Sequence, residues 1–519
     1  MFTWVLLERT SKNSNQLNMF KMKSSAKNIG YALLLGAIAV TFGTAAALLP
    51  SGMSVRFFLL LFIGLSFIGS WALRTKSNSV WHKLIFFSLA VTISFSVLWP
   101  RYIFLHISGM PSVNPLTLGT MGCLYLSLVS LIFSPNFSAR VVSAMSNMGL
   151  VPKWIAVYLL WRLLTCFLGE TPALSVVGFV KELVYINSFI LFGYIFSTLE
   201  NGGLILFRLL TICGVLVGLA GIYEAFAEHN LFSRFASAGE DGDVSGTLAN
   251  IAAEKVRAGS YRAQSTFDHP IVFAQFVAAL IPISIYGILR EKSLFWRLVA
   301  LASLPIALLS ILKSGSRAGI VSVVVAFGLV MIVMWLRALV HGRLTKIVAF
   351  VSLPALLGGI GLGYMLLQEL TAGRGQHETS SSGVRMLMLR TGINALADSP
   401  IFGFGQGQAI TKAGVLNVNN LATIDNYFLS IALDSGYVGL ALFVLVLVVF
   451  SFKSLLVAVK NPSSDGLFVG ACLASVLAIA ATFAGLSIIN NMTLLWLLIA
   501  ATAPYLASGK QSATTMAVR

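Results

Sequence analysis

The amino-acid sequence predicts an all-α integral membrane protein, a polytopic bundle of about 14 transmembrane helices, and three observations support this prediction. Of the 519 residues, 57% are hydrophobic and only 10% are charged, against about 25% charged residues in an ordinary soluble domain. The apolar residues form solid runs of about 20, the length at which a helix crosses the hydrocarbon core of a bilayer. The runs also lack the alternating polarity of barrel strands, which are the other structure that satisfies its backbone in lipid.

Fourteen apolar runs give the predicted spans and the organisation of the chain. Two of the predicted outside loops are much longer than the rest, and loops of this length are usually functional or disordered. The runs are 31–49, 55–73, 83–99, 116–133, 153–169, 182–199, 206–226, 270–289, 296–312, 318–336, 347–367, 427–451, 466–485 and 489–506. The chain then divides into a cytoplasmic tail 1–30, N-terminal transmembrane helices 31–226, a first long outside loop 227–269, transmembrane helices 270–367, a large outside loop 368–426, C-terminal transmembrane helices 427–506 and a cytoplasmic tail 507–519.

The distribution of positive charge predicts the orientation of the chain in the membrane. The formal net charge is +17, which in a soluble protein would suggest a nucleic-acid partner. With the N-terminus inside, the cytoplasmic segments carry most of the 35 Lys and Arg residues, including the basic loops 290–297 and 337–346. This asymmetry is the positive-inside pattern, so both termini are predicted to be cytoplasmic and no nucleic-acid partner is expected.

The four cysteines indicate neither disulfides nor a metal site. Cys123, Cys166, Cys213 and Cys472 all lie within apolar runs, and none has the Cys-x-x-Cys or Cys/His spacing of a metal centre. We interpret them as small buried hydrophobic residues, and no metal or cofactor is expected.

A basic amphipathic helix is predicted over residues 384–397, within the second long loop. Met386, Leu389, Ile393 and Leu396 recur there at three- and four-residue spacing, which places them on one face of a helix. Arginines flank this stripe, and a basic amphipathic helix between two spans is typical of a segment that lies at the membrane surface.

Four arginines are predicted near the membrane boundary on the outer face, where the positive-inside bias disfavours them: Arg262, Arg317, Arg385 and Arg390. The planar guanidinium group suits phosphate because it can donate two parallel hydrogen bonds. Together these arginines could hold the diphosphate of a lipid carrier. The alternative is that each arginine only anchors the end of a helix by snorkelling.

A short polar turn joins two of the spans, where residues 313–319 read KSGSRAG. Ser314, Gly315 and Ser316 would let the backbone approach a ligand to which Arg317 supplies charge. A tight turn between helices would use the same residue types, so the pattern leaves both interpretations open.

Three residues beside predicted helix starts are candidates for a base or for helix caps. Asp268 stands two residues before Pro270, where it would cap the helix. His269 is a candidate base because an unperturbed imidazole titrates near neutral pH, although a lone histidine is more often structural. Asp425 could be the N-cap of the next span or a general base facing an outer cavity.

Two further polar features lie within or beside predicted spans. Arg162 falls inside an apolar run, where a central arginine costs about 2.5–3.5 kcal/mol on insertion scales, so it must face a wet cavity or pair with an acidic residue such as Glu182. The glycine-rich segment 398–407 resembles a dinucleotide loop, but no strand precedes it as that motif requires. We therefore reject nucleotide binding and expect these glycines to redirect the backbone over the membrane surface.

Four stretches, taken in order, carry a resemblance to a known superfamily. They are Arg262 with the sequence Phe267-Asp-His-Pro270, Ser314-Gly-Ser-Arg317, Arg385 through the sequence Pro400-Ile-Phe-Gly-Phe-Gly405, and Asp425-Asn-Tyr-Phe-Leu429 with Gly436-Tyr-Val-Gly-Leu440. Their order and topology resemble the O-antigen ligases and the O-antigen and exopolysaccharide polymerases of bacterial inner membranes. The resemblance covers about residues 255–450, and the N-terminal half matches only as a set of membrane spans.

The resemblance implies a metal-independent, inverting glycosyltransferase that works at the periplasmic face of the bacterial inner membrane. It implies an undecaprenyl-diphosphate-linked oligosaccharide as donor and a sugar hydroxyl as acceptor, with membrane lipid, chain-length regulators and export proteins as further partners. Arg262 and Arg317 would bind the diphosphate and stabilise the leaving group, with help from Arg385. The ligases usually carry a histidine where this chain has Asp425, which favours a polymerase and leaves Asp425 or His269 as the base.

Three functions are therefore compared. The first is a polysaccharide polymerase, and the second is an O-antigen ligase-type transferase to a lipid or protein acceptor. The third is a membrane transporter or flippase, for which Arg162 is the main argument. Transporters often show repeats and broken helices at the bilayer midplane, whereas the polar clusters here are predicted at one face, so the polymerase is the function that the sequence favours.

Overall fold

The structure is a computed structural model. It describes residues 78–104, 114–235, 255–257, 260–342, 375–416, 422–486 and 489–507, together with four single positions between 343 and 374. Helices form nearly all the secondary structure in these ranges, which confirms the predicted all-α class. The chain forms two compact units. The smaller unit comprises 1–85, 106–112 and 125–139, and the larger comprises 86–105, 113–124 and 140–519. The candidate site lies within the larger unit.

The helices are numbered along the chain. They are α1 Asn78–Leu98, α2 Pro115–Phe133, α3 Pro135–Asn147, α4 Val151–Leu168, α5 Pro172–Glu182, α6 Ser188–Ser197, α7 Gly202–Ala227, α8 Pro270–Arg290, α9 Leu294–Ser314, α10 Arg317–Val340, α11 Gly375–Leu396, α12 Ala409–Ala413, α13 Tyr427–Lys460, α14 Ser464–Thr482 and α15 Met492–Ala501. A π-helical turn, Leu183–Asn187, joins α5 to α6, and two 3-10 turns are Ser233–Phe235 and Tyr505–Ala507. The strands form two antiparallel hairpins, β1 Val256–Arg257 with β2 Ser260–Tyr261, and β3 Val415–Leu416 with β4 Ala422–Thr423.

Within the described ranges, nine helical segments are long and apolar enough to cross a membrane, and two shorter apolar helices accompany them. The run predicted at 153–169 forms one unbroken helix, α4, despite its arginine. The span predicted at 182–199 starts earlier, at Pro172, because α5 and α6 continue one another through the π-helical turn. The predicted spans 31–49, 55–73 and 347–367 lie outside or mostly outside the described residues, so the total of 14 stays a prediction.

Helix α8 lies inside the larger unit. Most of its residues are buried, and it packs against α7, α9, α10 and α14. Its sequence is apolar on all sides, as expected of a helix enclosed by other helices. Its N-terminal end is therefore held by several neighbours at once, which makes it a rigid support for residues placed just before it.

The connections between the central helices bring several helix ends together. Helix α8 runs into α9 through a short connection and α9 runs into α10 through another, so successive helices reverse direction. The start of α8, the end of α9 and the start of α10 consequently lie at the same end of the bundle. Ala263, just before α8, donates its backbone N–H to Lys313 O, near the end of α9, over 3.1 Å.

Helix α13 is broken near its first third, and the glycine-rich segment 398–407 packs into the break. Gly436 has φ 72° and ψ 177°, which ends the helical path there. The Leu433 carbonyl accepts from Phe404 N–H over 2.8 Å, and Tyr437 N–H donates to Pro400 O over 2.8 Å. These bonds replace helical bonds that the break removes. The backbone of the segment thus satisfies polar groups of α13, and its predicted course over the membrane surface stays a prediction.

Replacing Gly436 by alanine is expected to lower the free energy of unfolding by about 2–3 kcal/mol, because its backbone region is essentially restricted to glycine. A Cβ atom there would also collide with the backbone carbonyl of Ile401. The measurement is thermal unfolding of the purified protein in detergent. Gly328→Ala in α10 is the matched control, since no atom lies within 4 Å of the Cβ position there. Equal melting temperatures for the two variants would contradict the role given to the break.

Candidate functional site

The first element of the site is Arg262, which follows the β1–β2 hairpin and precedes α8. Its backbone N–H donates to Lys255 O over 2.8 Å, which extends the hairpin by one pair. Its side chain is directed by the turn after α9, because Nε donates to Ser314 O over 2.9 Å. This bond uses one edge of the guanidinium group and fixes the plane of the group at the end of the bundle.

The turn between α9 and α10 supports Arg262 and begins α10. Gly315 has φ 58° and ends α9 in the left-handed conformation that favours glycine. Ser316 caps α10 by accepting from Gly319 N–H over 3.1 Å, which makes Arg317 the first residue of that helix. Ser314 is buried and its hydroxyl donates to Ile311 O over 2.7 Å.

The side chains of Ser314 and Ser316 therefore fit the interpretation of this segment as a tight turn between helices, because both are buried and form local hydrogen bonds. Their predicted contact with a ligand stays a prediction, as does the role of the Gly315 backbone. A Cβ atom at Gly315 would lie 3.4 Å from the Arg262 side chain. The small residue thus permits the close approach of Arg262 to the turn.

The cap of α8 is His269 and not Asp268, which corrects one prediction. The imidazole Nδ1 accepts from Ile271 N–H over 3.1 Å. Asp268 instead accepts two bonds from the Asn490 amide, over 2.9 and 3.0 Å, beside the start of α15. The helix is capped by the histidine because the Asp268 carboxylate is turned toward another segment of the chain.

The surroundings of His269 define its charge. Burial, and after it the nearby charges of Arg262, Lys255 and Arg385, together lower the pKa of its imidazole to about 3. The imidazole is therefore neutral at physiological pH. Because Nδ1 accepts the capping bond, the remaining proton is on Nε2, so His269 is arranged as a hydrogen-bond donor. This geometry fits a residue that orients a ligand better than it fits a base. The role of His269 as a base stays a prediction.

Asp425 precedes α13 and faces Arg385 from α11. The cap of α13 is Asn426, which accepts from Leu429 N–H over 3.0 Å, so the capping alternative for Asp425 is wrong. The Asp425 carboxylate lies 3.7 Å from Arg385 Nε, and both side chains are about half exposed. An exposed pair at this distance adds little stability, and its significance is that an accessible carboxylate and an arginine from two elements meet here.

Helix α11 is longer than the predicted 384–397 and begins at Gly375. Its predicted apolar stripe is divided between two environments. Leu389 and Leu396 pack into a buried cluster with residues from the start of α13, whereas Met386 and Ile393 are about half exposed. Docking of the helix against α13 holds Arg385 beside Asp425.

Arg390 is separated from this group. Five residues along a helix correspond to a rotation of about 140°, so Arg390 projects from a different side of α11 than Arg385. Its side chain is exposed. The structure thus brings Arg262, Arg385, His269 and Asp425 to one region, with Arg317 starting the adjoining helix, and leaves Arg390 on the far side of α11.

Arg162 is paired with Glu182, as one of the two interpretations predicted. The two guanidinium nitrogens contact the two carboxylate oxygens over 2.5 and 2.9 Å, and both side chains are buried. Gln406 from the glycine-rich segment bonds to both partners. The arginine that favoured transport therefore has a structural explanation, since it joins α4, α5 and the segment that packs into α13.

Among the described residues, no group of three or more His, Cys, Asp or Glu side chains is arranged to hold a metal ion. All four cysteines are buried and free, in agreement with their interpretation as small hydrophobic residues. Two residues near the site, Lys255 and Asn490, were not predicted from sequence patterns. Lys255 stands seven residues before Arg262, and the register of the hairpin places the two side by side. Asn490 is distant in sequence from Asp268, and the segment that leads into α15 brings it there.

Comparison with known families supports the same region. Residues 302–444 match the family model Wzy_C, described as O-Antigen ligase. The match runs from within α9 to within α13 and contains Arg317, Arg385 and Asp425, while Arg262 and His269 lie before it. It confirms the predicted resemblance to the O-antigen ligase and polymerase superfamily and points to glycan transfer by a membrane enzyme. No curated protein matches the chain.

Proposed function

We propose that the protein is a polysaccharide polymerase that transfers glycan from an undecaprenyl-diphosphate carrier to an acceptor sugar, with inversion at the anomeric carbon. The observation that supports this most is the convergence of Arg262, Arg385, His269 and Asp425 at one end of the bundle. The two arginines are positively charged and His269 can donate a hydrogen bond, so these three side chains suit an anionic glycan carrier. Asp425 adds an accessible carboxylate. The match to an O-antigen ligase family covers part of the same region.

In this proposal the donor diphosphate is bound by Arg262 and Arg317, and Arg385 assists from α11. Arg262 is already oriented by Ser314 O, so little reorganisation is needed when the anion binds. Preorganised cations of this kind stabilise charge that develops on a leaving group. The neutral His269 would donate from Nε2 to a phosphate or sugar oxygen.

Asp425 would act as the base toward the acceptor. Its carboxylate takes the proton of the acceptor hydroxyl while the hydroxyl oxygen attacks the anomeric carbon of the donor. The bond between that carbon and the phosphate oxygen breaks, and its electron pair leaves with the diphosphate on the carrier. A diphosphate is a good leaving group, so positioning of the two substrates and stabilisation of charge suffice without a metal in this proposal.

The proposed setting is the periplasmic face of a bacterial inner membrane, with both chain termini in the cytoplasm. A site at the membrane boundary gives a lipid-anchored donor and a water-soluble glycan access to the same place. Chain-length regulators and export proteins are proposed as further partners of a polymerase. The positive charge of the predicted cytoplasmic loops supports this orientation.

Replacing Asp425 by asparagine is expected to reduce the rate of transfer by about 10²- to 10⁴-fold, the usual contribution of a general base. Binding of the donor should change little, because asparagine keeps the shape of the side chain. Initial rates and donor affinity of the purified variants provide the measurement. Asp398→Asn, the same change at an exposed carboxylate after α11, should behave as the wild type. A fully active Asp425→Asn enzyme would exclude this residue as the base.

A second candidate function is the ligase, which transfers finished glycan to a lipid or protein acceptor, and the family description favours it. The purified enzyme supplied only with a carrier-linked repeat unit separates the two candidates. A polymerase makes longer carrier-linked chains from this donor alone, whereas a ligase forms product only after a second acceptor is added. Asp425, where ligases usually carry histidine, is the reason for placing the polymerase first.

A further inference from the structure

Glu224, in the last turn of α7, bonds to the segment that carries Arg262 from the β1–β2 hairpin into α8. The residue is almost fully buried, with 1% of its surface exposed. Oε1 accepts from the Tyr261 hydroxyl over 2.9 Å and from Gln264 N–H over 3.1 Å, and Oε2 accepts from Ser265 N–H over 2.6 Å. One acidic side chain thus joins three residues that stand on both sides of Arg262 in the sequence.

Ser265 makes a turn between Arg262 and His269, and its conformation depends on its neighbours. Its φ is 54°, in the left-handed region that is uncommon for residues other than glycine. Its hydroxyl donates to Val217 O over 2.8 Å, and its carbonyl accepts from the Asn230 amide over 3.0 Å. A residue keeps such a conformation only where its surroundings fix it. The segment between the two site residues is therefore held in one conformation by α7 and by the residues that follow α7.

The bonds to Glu224 require two acceptor atoms. The residues Gln264 and Ser265 are buried, and a buried backbone N–H that lacks a partner is costly. A carboxylate accepts on both of its oxygens, whereas a glutamine side chain has one acceptor oxygen and one donor NH₂ group. Glutamine at position 224 would therefore set its NH₂ group against the N–H of either Gln264 or Ser265. One of the two backbone bonds would be lost.

The same segment is also attached to the end of α9. Ala263 N–H donates to Lys313 O over 3.1 Å, and Arg262 Nε donates to Ser314 O over 2.9 Å. The bonds to Glu224 lie directly before and after these two residues in the sequence. The position of the Arg262 guanidinium therefore depends on both attachments, and releasing the segment from α7 would loosen the arginine without touching its own bond.

We propose that Glu224 is a positioning residue for glycan transfer, whose carboxylate holds residues 261–265 so that Arg262 meets the donor in a fixed orientation. The inference deepens the proposed function and rests on it for the role of Arg262. Its effect on the segment itself can be measured without any substrate.

The first test compares kcat and KM of purified Glu224→Gln and Tyr261→Phe for the carrier-linked donor. Glu224→Gln is expected to lower kcat about 10²-fold, the effect of a misplacement of about 1 Å, with a smaller change in KM. Tyr261→Phe should lower kcat about 10-fold, because it removes one bond to a charged group and keeps the two backbone bonds. Glu228→Gln and Tyr223→Phe make the same changes at exposed side chains and should behave as the wild type.

The same two changes in the Arg262→Ala background separate positioning from a role in folding alone. With the arginine absent, each change is expected to lower the rate by less than about 2-fold, because residues that act as a unit are not additive. A role in folding alone would lower the rate by the same factor in both backgrounds. Equal factors would therefore overturn the proposal, as would a Glu224→Gln enzyme with the wild-type kcat.

Hydrogen exchange of residues 261–267, measured without donor, tests the attachment independently of activity. Glu224→Gln is expected to raise the exchange rate of this segment about 10-fold or more, because local opening becomes easier, and Glu228→Gln should not. Unchanged exchange would overturn the inference even in an active enzyme. If Glu224→Gln fails to fold, Tyr261→Phe decides the outcome by the same two measurements. A wild type that transfers no glycan, with faster exchange in Glu224→Gln, would contradict the proposed function and the role in transfer and leave the attachment intact.

Discussion

Replacement of Arg262 by alanine is expected to reduce the rate of glycan transfer by about 10²- to 10³-fold, the usual cost of removing one preorganised donor from a site where charge develops. The reason is geometric. The Arg262 guanidinium is fixed by Ser314 O over 2.9 Å and lies beside His269 at the end of the bundle. Arg262→Lys should recover part of the loss, because lysine keeps the charge without the planar fork.

The measurement is the initial rate of transfer by purified variants at saturating and at low donor concentration. Arg290→Ala is the matched control, since Arg290 is exposed and lies at the opposite end of α8, about 30 Å away for a helix of this length. If Arg262→Ala retains wild-type rates at both donor concentrations, the diphosphate site has been placed wrongly.

Replacement of Arg162 by methionine is expected to lower the free energy of unfolding by about 3–5 kcal/mol, because a buried charge then lacks its partner. The Arg162–Glu182 pair is almost fully buried, and its contacts of 2.5 and 2.9 Å are bidentate. Loss of the arginine also removes a partner of Gln406. Thermal unfolding in detergent should therefore show a large drop in the melting temperature.

The double variant Arg162→Met with Glu182→Leu is expected to recover much of this stability, since replacing both members of a buried pair by apolar residues is often nearly neutral. The double-mutant cycle gives the interaction energy of the pair directly. A single Arg162→Met variant that melts with the wild type would contradict the account, and so would a cycle in which the two losses simply add.

The positions of the spans could be predicted from the sequence because hydrophobic runs have a direct physical cause. A helix that crosses lipid needs about 20 apolar residues, and α4, α8 and α10 start within a few residues of the predicted positions. The pairing of Arg162 with Glu182 could also be anticipated, since an arginine within a span must find a partner.

The local roles of polar residues could not be assigned in the same way. Asp268 and His269 are adjacent, and either side chain can accept a bond from the first turn of α8. The choice depends on Asn490, which is distant in sequence and occupies the Asp268 carboxylate. Likewise, Asn426 caps α13 and leaves Asp425 to face Arg385.

The packing of the glycine-rich segment against α13 could not be predicted for a similar reason. Its partner is the break in α13 at Gly436, and a single glycine within an apolar run gives no sequence signal for a break. Lys255 escaped notice because its neighbour Arg262 is seven residues away, and only the register of a two-residue hairpin places them together.

The most direct test measures how much free carrier the purified full-length protein releases. The donor is a carrier-linked repeat unit, a sugar acceptor is added, and EDTA is present to remove metal ions. We expect the wild type to form a new glycosidic bond and to release free undecaprenyl diphosphate, and Arg262→Ala and Asp425→Asn to release almost none. Equal release by wild type and Arg262→Ala, or no release by the wild type with any acceptor, would contradict transfer from a diphosphate donor at this site.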